Sequence, residues 1–203
     1  MKKKMIVVGS GTHSEVVLDI IEKCNEYEVV GLIDDNNREI FGYKVIGDDN
    51  SLIKLYEDGV RFAFIAIGEN LVREKLFYKL IEIGYEIINV ISDKAIISSH
   101  ASIGKGVLVM PGGIINCCAQ IGNGVIINTN SSVDHDCTIG DFVHIAPGSS
   151  IAGTTFIGKR SFVGVGSSIK DKITIGNDVI IGAGSVVIND IESYKKVYGV
   201  PAK

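Results

Sequence analysis

Residues 133–151 read Val133-Asp134-His135-Asp136-Cys137-Thr138-Ile139-Gly140-Asp141-Phe142-Val143-His144-Ile145-Ala146-Pro147-Gly148-Ser149-Ser150-Ile151. Val133, Ile139, Ile145 and Ile151 stand six residues apart. The same step gives Ile97, Ile103, Val109, Ile115, Ile121 and Ile127 on one side, and Ile157, Val163, Ile169, Ile175, Ile181 and Val187 on the other. All sixteen anchors are Ile or Val, although these types fill only 27 of the 92 positions in 97–188, so chance is excluded. Two residues before many anchors sits a small or β-branched group: Ala101, Ala119, Ser131, Cys137, Ser149, Thr155, Ser161, Ser167 and Ser185. A period of six implies a parallel β-helix. Gly104, Gly122, Gly140, Gly158 and Gly176 each follow an anchor and recur at every third one. Three hexads therefore make one coil, and these glycines share one corner of a triangular prism. About five coils at ~4.8 Å spacing give a stack on the order of 24 Å tall.

The repeat explains an unusual composition. The 203 residues include 24 Gly and no Trp, and only 7% are aromatic. A narrow prism lined by Ile and Val has no room for rings. Residues 1–96 carry 12 basic and 17 acidic side chains, whereas 97–203 carry 8 and 7 and hold 16 of the glycines, so the halves are built differently. The boundary falls near 90–96, giving expected domains of 1–92 and 93–203. The net charge of −4 supplies no basic footprint for nucleic acid. Lys2–Lys4 precede an apolar run too short for a signal peptide, and no stretch reaches membrane-spanning length. Four cysteines without CxxC spacing read as reduced thiols, which points to the cytoplasm. Cys117-Cys118 reads as a pair of surface thiols with no histidine in phase.

The first half alternates strands and helices. Met5–Val8, Val29–Ile33, Phe62–Ile67 and Ile87–Val90 read as strands. Glu15–Glu22, Leu52–Tyr56 and Leu71–Ile83 read as helices, the last with Leu71, Val72, Leu76, Leu80 and Ile83 inward and Arg73, Glu74, Lys75 and Lys79 outward. This order implies a parallel sheet covered by helices, a Rossmann-like α/β domain. Gly9-Ser10-Gly11-Thr12-His13-Ser14 joins the first strand to the first helix, where glycines admit a phosphate and the helix N-terminus offers free N–H groups. Asp34-Asp35 ends the second strand, where a ribose-binding carboxylate would stand. Ser14 occupies the place of the third glycine, so the dinucleotide fingerprint is incomplete, and a plain tight turn fits the same residues.

The histidines are His13, His100, His135 and His144. His135, two residues past an anchor, points outward between Asp134 and Asp136. A carboxylate beside an imidazole fixes its tautomer and raises its basicity. A solvated Asp-His-Asp turn is the bland alternative.

The [Ile/Val]-Gly-x4 hexads and the Tyr198-Gly199-Val200-Pro201-Ala202-Lys203 ending resemble the left-handed β-helix acyltransferases. With Gly9–His13, Ile33-Asp34-Asp35, Ala66-Ile67-Gly68 and the 128–144 segment, the chain resembles the sialic-acid O-acetyltransferase-like family, which includes bacillosamine-pathway and perosamine N-acetyltransferases. The resemblance implies a left-handed β-helix after the α/β domain, and acetyl-CoA as cosubstrate with no metal. It implies transfer of acetyl to the 4-amino group of a nucleotide-linked 4-amino-6-deoxy sugar, for which UDP is expected ahead of GDP while the nucleotide itself is not fixed by the sequence. It assigns His135 as general base and Asp136 as its partner, with Asp134 as the rival. His144, Gly153, Val165 and Ala183 match acetyl-CoA positions, with the Gly153 N–H as oxyanion donor. Gly9, Ser10, Gly11, His13, Asp34, Asp35, Gly68 and Asn128 match substrate-binding positions. The family forms homotrimers with sites between neighbouring subunits.

Three other readings share the motifs. O-acetylation of sialic acid or a related sugar would use the same histidine and acetyl-CoA. A γ-carbonic-anhydrase-like metal site needs three converging histidines, which the spacing of His100, His135 and His144 disfavours. A binding scaffold whose prism only assembles the subunits would leave the Asp134-His135-Asp136 cluster without a use.

Overall fold

The computed structural model describes residues 2–203, which divide into two compact units, the first ending at Asp93 and the second spanning Lys94–Lys203. The first unit contains β1 (Lys3–Val8), α1 (Thr12–Cys24), β2 (Tyr27–Ile33), β3 (Val45–Gly47), α2 (Leu52–Glu57), β4 (Phe62–Ile65), α3 (Asn70–Ile83) and β5 (Glu86–Ile87). Their sheet has the order β3-β2-β1-β4-β5 and is parallel throughout. β1 is buried from Met5 to Val8 because both faces of a parallel sheet are covered. The chain leaves β1 toward β2 on one side and β4 on the other, so the carboxyl end of β1 is the topological switch point where α/β sheets bind ligands.

Two details of this unit differ from the sequence reading. β3 is an additional edge strand. The buried face of α3 is Arg73, Leu76, Phe77 and Leu80, while Leu71 and Val72 are exposed. Arg73, expected outward, is only 2% exposed. Its Nη1 donates to the Ile67 carbonyl at 3.0 Å and the Gly68 carbonyl at 2.9 Å, and its Nη2 to Asn70 Oδ1 at 2.8 Å. These acceptors make the burial tolerable. Glu69 caps α3 by accepting from the Leu71 and Val72 N–H groups, and Gly84 at φ 113 ends it.

The second unit is a left-handed parallel β-helix of two-residue strands. Its three faces carry the outward columns Ile96-Ile114-Ser132-Ser150-Ser168-Val186, Ser102-Gln120-Thr138-Phe156-Thr174 and Leu108-Ile126-His144-Phe162-Ile180-Lys196. Partners lie three hexads apart until the last step, Ile180 to Lys196, where the final turn is slightly shorter. From Val109 to Val187 every anchor is at most 4% exposed. Full burial of each such side chain contributes about 1.5–3 kcal/mol. The small residues two places earlier are buried as well, except Ala101, which is half-buried, and the hydroxyls of Ser131, Ser149, Thr155, Ser161 and Ser167 donate to carbonyls. Ser149, Ser161 and Ser167 bond the Gly164, Gly176 and Gly182 carbonyls of the next coil at 2.7, 2.8 and 2.9 Å.

The glycine column has a steric cause. Asn123 Oδ1 accepts from the Lys105 N–H, Asp141 Oδ1 from Asn123 N–H, and Asn177 Oδ1 from Lys159 N–H. Each bond carries a side chain of one coil back against the coil before it. A Cβ on Gly104, Gly122 or Gly158 would stand 2.9, 2.5 or 2.6 Å from those oxygens.

A second six-residue rhythm is conformational. Every sixth residue from Gly106 to Gly184 has positive φ: the glycines at 106, 112, 124, 148, 166 and 184, together with Cys118, Asn130, Asp136, Phe142, Thr154, Arg160, Lys172 and Asp178. The chain turns each corner through one left-handed residue, a conformation that glycine adopts freely and other residues adopt at some cost.

Candidate active site

His135 and Asp136 form the corner between the Ser132 face and the Thr138 face. Asp136 is that corner's left-handed residue, at φ 57. Its Oδ2 lies 2.9 Å from His135 Nδ1. An ionised carboxylate only accepts, so Nδ1 carries the proton and Nε2 is left as the basic nitrogen. The carboxylate of Asp136 on the ring, then the charge of Asp134, hold the imidazolium above the ordinary histidine pKa. Asp134, the rival partner, does not touch the ring nitrogens. Its Oδ1 accepts from the His135 backbone N–H at 2.8 Å and from Asn116 Nδ2 at 2.7 Å. These two donors, the backbone one first, lower the Asp134 pKa.

Gly153 stands one coil further on, in the column of His135. A Cβ there would lie 2.7 Å from both Cε1 and Nε2 of His135, so the imidazole rests on the bare glycine. The neighbouring Thr154 N–H donates to the His135 carbonyl at 2.9 Å and fixes the two coils together. Cys117 occupies the same column one coil earlier, and its carbonyl accepts from the Asp136 N–H at 3.1 Å. The thiols of Cys117 and Cys118 are exposed, as the sequence suggested, but Cys117 is in phase with a histidine, because three hexads make one turn.

The other second-unit residues gather at a different corner, between the His144 face and the Ser132 face. Asn128 Nδ2 lies 3.1 Å from His144 Nε2. Asn128 Oδ1 is engaged by the Thr129 N–H at 2.8 Å, so the amide donates and His144 Nε2 accepts. The His144 ring packs edge-on against Phe162 at 5.1 Å. Val165 and Ala183 follow on this corner in successive coils, both exposed. Within one chain, then, His135, Asp136 and Gly153 are together, and Asn128 and His144 are together. Among the described residues no group of three or more His, Cys, Asp or Glu could hold a metal ion.

In the first unit, Gly9 at φ 111 turns the chain out of β1, and a Cβ there would stand 3.0 Å from the Ala66 carbonyl oxygen. Ser10 N–H donates to Asp34 Oδ2 at 2.7 Å, and the Asn36 N–H to Asp34 Oδ1 at 2.9 Å. Partial burial pushes the Asp34 carboxyl upward, but these donations outweigh it and hold the group below the usual carboxylate range. Ser14, in the place of the third glycine, is buried, and its Oγ donates to the Gly9 carbonyl at 2.9 Å. The loop is therefore closed by a hydroxyl instead of by close packing. No side chain caps α1 at Gly11. His13, in the first turn, has its pKa lowered by burial and then by the charge of Arg73. A cavity of about 310 Å³ at the switch point is lined by Gly9, Asp34 and Asp35, and also by Asp49, Val72 and Lys75, which the sequence reading missed. Only the fold brings Asp49 and α3 to that point. A cavity of about 670 Å³ between α2 and α3 holds none of the expected residues.

Residues 4–80 match the family model described as PglD N-terminal domain, and residues 118–153 and 154–189 match bacterial transferase hexapeptide repeats. A crystal structure of a mutant of perosamine N-acetyltransferase from Caulobacter crescentus, in complex with CoA and GDP-perosamine, is 40% identical. It superposes with a TM-score of 0.96 over 98% of this chain and 95% of that one. The chain belongs to the hexapeptide-repeat sugar N-acetyltransferases with a PglD-type N-terminal domain. Within this family, the acetyltransferase domain of PglB from Neisseria gonorrhoeae in complex with acetyl coenzyme A is 33% identical, with a TM-score of 0.95 over 100% and 99% of the two chains. The UDP-N-acetylbacillosamine N-acetyltransferase of Bacillus subtilis is 34% identical over 112 residues, a match spanning about half (51%) of that protein. Two family relatives are thus structurally known with the cosubstrate or its CoA portion bound. Among the described residues, no helix is long and apolar enough to cross a membrane.

Proposed function

We propose that this chain moves acetyl from acetyl-CoA to the 4-amino group of a nucleotide-linked 4-amino-6-deoxy sugar, with His135 as general base. The observation that carries this is the His135 ring, with Nδ1 2.9 Å from Asp136 Oδ2 and Nε2 lying against Gly153. The amine nitrogen attacks the thioester carbon, and Nε2 takes the proton that nitrogen loses. The tetrahedral oxyanion accepts from the Gly153 N–H. Collapse expels the CoA thiolate, which takes the proton from the imidazolium. Asp136 keeps the ring in the correct tautomer and stabilises its charged form.

In this reading the first unit binds the nucleotide portion through the Gly9–His13 loop, Asp34, Asp35 and Gly68, with the start of α1 toward the phosphates. Asn128 serves the reacting sugar. The nucleotide we propose is UDP. A GDP-linked acceptor is the second reading, favoured by the complex of the 40% identical relative. His144, Val165 and Ala183 bind acetyl-CoA from a corner other than that of His135, so a neighbouring copy supplies them, and the working unit is a homotrimer. All four cysteines are unpaired, in keeping with the reducing cytoplasm.

The test is a panel of UDP- and GDP-linked 4-amino-6-deoxy sugars with acetyl-CoA, following free CoA thiol. Turnover on that panel, lost in His135→Ala by a factor on the order of 100 or more, is the expected result. Undiminished turnover in the variant removes His135 as base. Acetylation of free sialic acid and of no panel member makes the enzyme an O-acetyltransferase instead.

A further inference from the structure

Two carboxylates flank His135 in sequence, and the charge of each acts on its ring. The structure gives them different partners. Asp136 takes the ring through Nδ1 at 2.9 Å. Asp134 turns away, and one of its oxygens receives two donors, the His135 N–H at 2.8 Å and Asn116 Nδ2 at 2.7 Å. The second donor comes from outside the motif. Asn116 precedes Asp134 by three hexads, which places it in the same column one coil earlier, and its own N–H is fixed on the Val133 carbonyl at 2.9 Å. The backbone donor alone leaves Asp134 free to turn about its side-chain bonds. The second donor removes that freedom.

We propose that Asn116 is a positioning residue of the acyl-transfer site, anchoring Asp134 so that Asp136 alone orients the His135 ring. Asn116 touches neither the ring nor the reacting atoms and acts through Asp134. The inference rests on the proposed role of His135 as base. A freed Asp134 competes for the Nδ1 proton or draws the ring off Gly153, and either outcome leaves fewer molecules with Nε2 correctly aimed. The cosubstrate positions at His144, Val165 and Ala183 are on another corner and are untouched. The signature is therefore a fall in kcat with the KM for acetyl-CoA unchanged.

A double-mutant cycle tests this. Asn116→Leu removes the donor while roughly keeping the volume, and Asn116→Ala serves as a second variant. Asn116 is exposed, so neither change leaves a buried group without a partner. Each is expected to lower kcat about tenfold, with the KM for acetyl-CoA within about twofold of the parent value. The same substitutions made in an Asp134→Ala background are expected to cost no more than about twofold, because the residue through which Asn116 acts is gone. An equal loss in both backgrounds overturns the proposal, since Asn116 then acts on coil structure in general. No loss in the parent background overturns it as well. His135→Ala separates this proposal from the reading beneath it. Retained turnover there sinks the base assignment, whereas abolished turnover beside unaffected Asn116 variants sinks only the positioning role.

Discussion

Gly153→Ala is the sharpest perturbation the structure offers, because a single methyl group meets the proposed base. The added Cβ would stand 2.7 Å from His135 Cε1 and Nε2 and 3.2 Å from Cδ2. The ring must retreat by about 0.7 Å to regain the 3.4 Å of ordinary contact. Gly153 does not have positive φ, so alanine fits its backbone, and the neighbour that must move is an exposed side chain. Folding stability holds or rises by about 0.4–1 kcal/mol, the usual effect of stiffening the unfolded chain. Catalysis does not hold. A displacement of roughly 1 Å from a productive geometry costs about a hundredfold, so kcat is expected to fall by a factor between about 10 and 100. The assay is free CoA release under saturating acetyl-CoA and acceptor, with a thermal melt of the same preparation. A folded Gly153→Ala protein with parental kcat would refute the reasoning, since the imidazole would then do its work somewhere other than against Gly153.

Asp136→Asn keeps an acceptor oxygen but removes the negative charge of the carboxylate whose hydrogen bond, first among the causes, raises the His135 pKa. The base works only when neutral, so the rate falls as pH drops through that raised value. The variant should show this acid limb at lower pH together with a reduced plateau, and a limb that stays in place or moves upward contradicts the assignment. Thr154→Gly relieves a β-branched residue at φ 60. A gain of about 0.5–1 kcal/mol is expected after the entropy cost of glycine, read as a higher melting temperature. Arg73→Met strands the Ile67 and Gly68 carbonyls. A loss of about 2–4 kcal/mol and a higher KM for the nucleotide sugar at unchanged KM for acetyl-CoA are expected, measured by denaturation and by initial rates.

The prism was legible because its determinant is local and repeated: each anchor faces inward whatever the rest of the chain does. The glycine column was visible as a period, but its cause was not. At Gly104, Gly122 and Gly158 that cause includes an Asn or Asp side chain one coil away, and only stacking places Asn123 against Gly104. The left-handed corner was hidden because fewer than half of its positions are glycine, and Phe142, Arg160 and Lys172 carry no turn signal. At the site, the choice between Asp134 and Asp136 could not be read from two residues each adjacent to His135. It depends on Asn116, one coil earlier, whose amide occupies one of them. Arg73 misled in the other direction, because charge argues for solvent and two loop carbonyls argue against it. The coil period, applied to chemistry as well as to the core, also places Cys117 beside His135.

The supports of the site in the second unit are vertical ones: Asn116 bonds Asp134, Gly153 lies under His135, and Asn128 meets His144 from the coil before it. Position along the stack is thus a coordinate as meaningful as position in sequence. Insertion of three whole hexads below Asn116 would raise the constellation by one storey and leave it intact. Insertion of a single hexad would carry it to another wall of the prism, and inserting between Asn116 and Asp134 would separate the base from its support. Such a chain can lengthen by whole storeys while keeping the coil-to-coil contacts within the constellation.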